Sequence, residues 1–178
     1  DETFNENWGI KRMVWGKFTN AGQTCVAPDY VLVDKKAKQK FVELFTKTTK
    51  EFFGENPQLS PDFGRIINEK HFIRLSQLLE KGNILMGGKT DMKDLFIAPT
   101  LIDGVSVEDP IMQGEIFGPI LPIIEYEKLD DAIKFVNAGN KPLALYIFSD
   151  DKMYQDRILN ETSSGNASIN ECLMHVGQ

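Results

Sequence analysis

The chain has 178 residues, 42% hydrophobic and 26% charged, an ordinary globular composition long enough to bury one core without disulfide or metal staples. Its 26 acidic and 20 basic side chains, a formal net charge of -6, are mixed along the sequence and leave no broad basic surface for nucleic acid. No apolar run approaches the roughly 18 residues of a membrane-spanning helix, and the two cysteines and two histidines lack the CxxC or HxxxH spacing of a transition-metal site.

Taken in chain order, helices and short apolar strands alternate, the pattern of an α/β three-layer domain whose mostly parallel sheet is covered by helices. Residues up to Phe18 carry Ile10, Met13 and Val14 at helical spacing and read as a helix ending near Gly22; residues 30–33 follow as a buried strand. Residues 37–53 place Phe41, Leu44, Phe45, Phe52 and Phe53 on a helix that Gly54 caps, and its phenylalanines are core candidates. The basic run at residues 35–40 reads as a solvated helix face. A loop rich in Pro, Gly and Asn spans residues 54–64 and leads to an amphipathic helix over 68–80 that stops at Gly82.

Residues 84–86, 96–102 and 121–126 read as extended, the last with its start fixed by Pro119 and Pro122. Asp130 is expected to cap a helix to about residue 137. Residues 143–148 form the most strand-like run of all, followed by a helix over 150–160 and a last strand at 167–170. The chain begins at Asp1 without an initiator methionine or leader, and this reading takes it as one catalytic domain, residues 1–178, cut from something longer.

A cysteine attacks a carbonyl only as thiolate, and a loop at a helix terminus or beside a positive charge is the usual way to favour that form. Around Cys25 the sequence permits such a loop: Gly22 allows a tight turn, Asn20 and Thr24 are polar, and Pro28 prevents a helix from continuing. Taken singly, a free cysteine is more often a small buried hydrophobe. Two widely separated cysteines, Cys25 and Cys172, suit an intracellular, reducing compartment rather than a disulfide framework. Lys17 is read as a solvated lysine, Asp29 as a turn residue at the start of a strand, and Cys172 as a buried thiol at a strand end.

The run Trp15-Gly16-Lys17-Phe18-Thr19-Asn20-Ala21-Gly22-Gln23-Thr24-Cys25-Val26-Ala27-Pro28-Asp29-Tyr30 resembles the active-site cysteine signature of aldehyde dehydrogenases, and its second half resembles the class 3 and fatty aldehyde dehydrogenase branch. A second family signature, Glu115-Ile116-Phe117-Gly118-Pro119, lies 90 residues after Cys25, and weaker agreement runs through residues 63–67, 97–100, 141–146 and Asn170. The sequence departs from the family where Gly114 replaces a second Glu and where Gly165-Asn166 replaces a Gly-Gly pair.

The resemblance implies that Cys25 is the catalytic thiol, attacking an aldehyde to give a thiohemiacetal that passes hydride to NAD or NADP and leaves a thioester for hydrolysis. It implies that Glu115 hydrogen-bonds the nicotinamide ribose, that Phe117 packs beside it, that His71 lies near the cofactor, that Thr24 and Val26 touch substrate, and that Asn170 is a structural hydrogen-bonding residue behind the site. It further places the dinucleotide-binding domain, the general-base Glu, the oxyanion Asn and the C-terminal dimer-forming tail outside these residues, so the chain alone is expected to be inactive and its parent to form a homodimer. Fatty or aromatic aldehydes are the expected substrates. Two other readings stand beside it: a cofactor-independent cysteine hydrolase or acyltransferase pairing Cys25 with His175, and a non-enzymatic structural module.

Overall fold

In the computed structural model residues 1–174 are described, and they form helices and strands in alternation. Helix α1 (Trp8–Phe18) buries Ile10, Met13, Val14 and Phe18. It stops earlier than expected: Thr19–Gly22 is a single 3-10 turn in which Asn20 and Ala21 adopt left-handed backbone angles, with φ of 54° and 52°. Strand β1 (Val31–Asp34) follows, then α2 (Lys38–Phe53), whose Phe41 and Phe45 are fully enclosed while Phe52 and Phe53 are partly covered. Gly54 closes α2 with φ 77°, its N–H donating to the Lys50 carbonyl.

Helix α3 (Glu69–Gln77) begins at Asn68, whose side chain accepts from the backbone N–H of His71, and buries Phe72 and Leu75. The strands that follow are β2 (Asn83–Met86), β3 (Thr90–Asp91), β4 (Phe96–Ile97), β5 (Thr100–Asp103) and β6 (Ile120–Tyr126). Pro99 separates β4 from β5, splitting what the sequence presents as one extended run. Helix α4 (Leu129–Ala138), strand β7 (Ala144–Ile147), helix α5 (Lys152–Glu161) and strand β8 (Asn166–Ile169) complete the order.

Two expected helix starts move. Asp130 lies inside the first turn of α4, where it pairs with Arg157 at 2.8 Å instead of capping the helix. Helix α5 is capped by Asp151, whose carboxylate accepts from the N–H groups of Met153 and Tyr154.

The main sheet has the order β1-β6-β5-β2. β6 is parallel to both neighbours, pairing Ile120 and Leu121 with Thr100 and Leu101 of β5, and residues 123–126 with residues 31–34 of β1. Pro122 sits where β6 passes from one partner to the other, a position at which the missing N–H costs the ladder little. β2 adds an antiparallel edge on β5, β3 and β4 form a small antiparallel pair, and β7 and β8 form a separate parallel pair.

The first four residues of β6 are all buried, as expected for a strand covered on both faces. Phe18 packs edge-on against Phe45 with ring centroids 5.7 Å apart, and Phe63 carries the aromatic contacts on to Phe53 and Phe96. Each edge-to-face pair contributes about 0.5–1.5 kcal/mol beyond the burial itself. A second, smaller cluster of Val26, Cys172 and Leu173, with Ala144, Tyr146 and Phe148 packed on it, joins the β7/β8 pair to the segment that carries Cys25.

Candidate active site

Residues 19–30, between α1 and β1, hold the exposed thiol of Cys25. The left-handed Asn20 and Ala21 are followed by Gly22 at φ 73°, so three successive residues turn the chain back on itself. Strain of this kind persists only where surrounding contacts over-determine the backbone. Here they are supplied by Gln23: its Nε2 donates to the carbonyls of Asn20 and Arg65, and its Oε1 accepts from the Ile67 N–H at 3.0 Å. Cys25 and Val26 then occupy the centre of a turn closed by the Ala27 N–H donating to Thr24 at 2.9 Å. Among the described residues no protein acceptor takes the Cys25 N–H.

Lys17 corrects an expectation. It is fully buried, 0% exposed, in the last turn of α1, and its ammonium donates to the Pro28 carbonyl at 2.7 Å. Burial drives its pKa down to about 8, partly opposed by the negative charge of Asp29. Asp29 is likewise more than a turn residue: its Oδ1 accepts from the Ile116 N–H at 3.0 Å. Burial pushes the Asp29 carboxyl up, against the pull of Lys17, the Ile116 and Phe117 amides and Arg74.

The loop that carries residues 115–118 lies against this segment. Gly22 and Gly118 approach so closely that a Cβ on Gly22 would stand 2.3 Å from the Gly118 oxygen. Arg74 of α3 grips the other side of the loop, its Nη2 donating to the Ile116 carbonyl at 2.6 Å. Ile116 is thereby buried while Glu115 faces solvent and Phe117, 37% exposed, holds a left-handed φ of 50°. An exposed carboxylate and an exposed aromatic ring thus project from one anchored turn.

The other candidates are placed as follows. Thr24 is half-buried beside the thiol, and Val26 is 5% exposed with its side chain in the cluster containing Cys172. Cys25, Val26, Asp29 and Glu115 line a cavity of about 420 Å3 together with Tyr146 and Leu143; Thr24, Phe117 and His71 are not part of its wall. Tyr146 donates to the Val26 carbonyl at 2.8 Å, and burial raises its phenol to about 12, which keeps it a neutral donor at physiological pH. His71 is half-buried in the first turn of α3, and His175 lies outside the described residues.

Asn170, at φ 56°, accepts from the Ser149 N–H and donates to the Ser149 carbonyl, both at 3.0 Å, and its own carbonyl accepts from Arg12. It fastens the ends of β7 and β8 together, in keeping with a structural role. Gly16 allows α1 to approach Cys172, whose Cβ would lie 2.5 Å from a Cβ added there. No group of His, Cys, Asp and Glu side chains among the described residues could hold a metal ion.

Sequence reasoning did not single out Gln23 or Arg74. Gln23 stands inside the cysteine signature and was accessible to it; the partner of Arg74 lies 42 residues away, beyond any local pattern.

The two thiols differ sharply. Cys172 is 0% exposed and burial raises its pKa well above the ordinary thiol range. Iodoacetamide at neutral pH is therefore expected to label Cys25 at least roughly 100-fold faster than Cys172, as read by peptide mass spectrometry; equal labelling of the two in folded protein would contradict the arrangement.

Comparison with known proteins bears on the same residues. The family model described as "Aldehyde dehydrogenase family" matches residues 5–177. The chain is 51% identical to the 4,4'-diaponeurosporen-aldehyde dehydrogenase of Staphylococcus aureus over 99% of its own length and 39% of that protein's. It is 47% identical to aldehyde dehydrogenase family 3 member A2 of Rattus norvegicus over 93% of the chain and 34% of the relative. Among solved structures, the substrate-bound state of Staphylococcus aureus AldH superposes with a TM-score of 0.97 at 49% identity, covering 100% of this chain and 39% of that one. A Mycobacterium tuberculosis aldehyde dehydrogenase complexed with NAD+ gives 0.83 at 27% identity, covering 96% and 37%. The chain thus spans a little over a third of the length of these relatives. With the family match running through both the thiol turn and the residue 115–118 loop, the chain belongs to the aldehyde dehydrogenase family.

Proposed function

We propose that this chain is the thiol-bearing catalytic portion of an NAD(P)-dependent aldehyde dehydrogenase acting on fatty or aromatic aldehydes. The observation that carries the reading is the exposed Cys25, held in a turn that is packed and hydrogen-bonded against the loop bearing Glu115 and Phe117. In this reading the Cys25 sulfur bonds to the aldehyde carbon, forming a thiohemiacetal, and retains the acyl group as a thioester until water releases the acid. Negative charge gathers on the substrate oxygen in both tetrahedral stages, and the Cys25 N–H, which no described residue claims, is one donor for it.

The residues present fit a nicotinamide coenzyme. The solvent-facing Glu115 carboxylate can accept from ribose hydroxyls, the Phe117 ring offers an apolar face beside it, and both stand on a loop that Asp29 and Arg74 hold from two sides. His71, half-buried in the first turn of α3, is a further contributor. When bound, NAD(P)+ supplies the hydride acceptor. Thr24 flanks the thiol on the substrate side, whereas the Val26 side chain supports the turn from beneath and reaches substrate only along the cavity wall.

The share of the relatives that the chain covers supports a longer parent protein; by the family resemblance its other residues supply a dinucleotide-binding domain, the general-base Glu and the oxyanion Asn, and its assembled form is a homodimer. The Staphylococcus aureus relative is named for 4,4'-diaponeurosporen-aldehyde, which supports an aldehyde as the substrate class. Two unpaired cysteines fit a reducing, intracellular setting. Among the described residues no helix is long and apolar enough to cross a membrane.

The reading is tested by supplying aldehyde and NAD(P)+ to this chain alone and to the chain joined to its dinucleotide-binding domain. Reduced coenzyme is expected from the joined protein and not from the chain alone. Turnover by the chain alone would place every catalytic group within these 178 residues; no turnover by the joined protein would overturn the assignment.

A further inference from the structure

Lys17 and Asp29 are not needed for the chemistry described above, yet the fold encloses the first completely and the second in part, on either side of the Cys25 segment. An ammonium in a protein interior is costly unless something is gained by holding it there. Both groups are spent on backbone atoms. The Lys17 ammonium holds the Pro28 carbonyl, three residues past the thiol, and the carboxylate of the next residue, Asp29, holds the Ile116 amide. At the same residue, Arg74 holds the Ile116 carbonyl.

The thiol segment is thus attached to the residue 115–118 loop at two points, through the Gly22 and Gly118 backbones at its start and through Asp29 and Ile116 at its end. Cys25 lies between them. Non-glycine residues with left-handed angles stand on both sides of the junction, Asn20 and Ala21 on one and Phe117 on the other, so each loop depends on outside contacts to keep its shape.

We propose that Lys17 and Asp29 are positioning residues that brace the thiol turn against the residue 115–118 loop, so that the sulfur and the Glu115 and Phe117 side chains move as one unit. The proposal deepens the aldehyde dehydrogenase reading, since it rests on taking the residue 115–118 loop as the coenzyme side of the site. Neither residue touches the reacting atoms. Their role is to fix one loop with respect to the other.

A lysine that merely filled space would act where it sits. Lys17 bonds to Pro28 and makes no hydrogen bond or ion pair to residues 115–118, so the brace predicts an effect at a distance that local packing does not. The test is amide hydrogen exchange on this chain, with no aldehyde or coenzyme present, which separates it from the test of turnover. Asp29→Ala and Lys17→Met are each expected to speed exchange of the Ile116 amide roughly 10-fold or more, as for loss of a charge-assisted hydrogen bond. Amides of α5 and of the β7/β8 pair should stay at wild-type rates. Asp29→Asn, which keeps an oxygen to accept from Ile116, should return the amide toward the wild-type rate.

Should the Lys17 and Asp29 substitutions fail to fold, Arg74→Met loosens the loop from its other side and must speed exchange of the Ala27 amide as well, because coupling between two sites is reciprocal. Unchanged Ile116 exchange in Lys17→Met, unchanged Ala27 exchange in Arg74→Met, or an equal rise across the whole chain would each overturn the brace. If the joined protein turns out not to oxidise aldehydes, these exchange rates still decide whether the two loops are mechanically coupled.

Discussion

Cys25→Ala, made in the protein that joins this chain to its dinucleotide-binding domain, is expected to lower aldehyde-dependent formation of reduced coenzyme by about a million-fold, the size of loss seen when a covalent nucleophile is removed. In the proposed mechanism the substrate carbon stays bonded to this sulfur from the first attack, through hydride transfer, to hydrolysis. An exposed side chain in a solvent-facing turn contributes little to packing, so the unfolding midpoint should stay within about 0.5 kcal/mol of wild type. The pair of measurements, initial rate by coenzyme absorbance and stability by denaturant titration, separates a lost nucleophile from a lost fold. A variant that retains more than a hundredth of the rate speaks against covalent catalysis by Cys25.

Gly22→Ala has the largest effect expected on structure. Its backbone sits at φ 73°, and the added methyl would be placed 2.3 Å from the Gly118 carbonyl oxygen. The left-handed conformation alone costs an L-residue about 1–2 kcal/mol, and pushing two backbones apart in a packed region adds roughly 1–3 kcal/mol. No flexible side chain can yield here, since the atom that is met belongs to the backbone. Urea unfolding of the variant should therefore show a clear loss of stability. Because the contact is with Gly118, turnover of the joined protein should fall with it even where the folded fraction is fully populated. A midpoint equal to that of wild type would mean that the two loops are farther apart than described.

Much of the architecture was legible because burial repeats along the chain. The Phe41 and Phe45 spacing defines α2, and the apolar run at residues 143–148 contains β7. What periodicity does not encode is where a helix yields to special backbone geometry. Helix α1 ends at Phe18 because Asn20 and Ala21 turn left-handed, and that conformation is held by the nearby side chain of Gln23, which is itself fixed by the loop at residues 65–67 from elsewhere in the chain. Asp130 has the composition of a cap but is drawn to Arg157, 27 residues on, by an ion pair no local rule contains. The strand order β1-β6-β5-β2, with β6 handed from one partner to the next at Pro122, is a tertiary property in the same sense.

The site divides along the same line. The candidates Cys25, Glu115 and Phe117 were legible because their motifs are contiguous, and the structure brings the two motifs into contact through Asp29 and Ile116. Lys17 was misread because a charged residue is ordinarily solvated, and only the fold reveals that Pro28 brings it a hydrogen-bonding partner in the interior; Asp29 does stand in a bend before β1, as expected, and in addition accepts from the Ile116 amide. Val26 was expected against substrate because it adjoins the thiol; its side chain packs with Cys172 and Leu173, and it also lines the cavity that Cys25 lines.

The central claim is that the Cys25 sulfur carries the acyl group. The most direct measurement is mass spectrometry of the joined protein, acid-quenched within a single turnover of aldehyde and NAD(P)+ and digested. The expected result is a peptide containing Cys25 that is heavier by one acyl group, absent without coenzyme and lost on treatment with hydroxylamine, with Cys172 unmodified. Acid production at full rate with no adduct on Cys25, or with the acyl group on another side chain, would contradict the account.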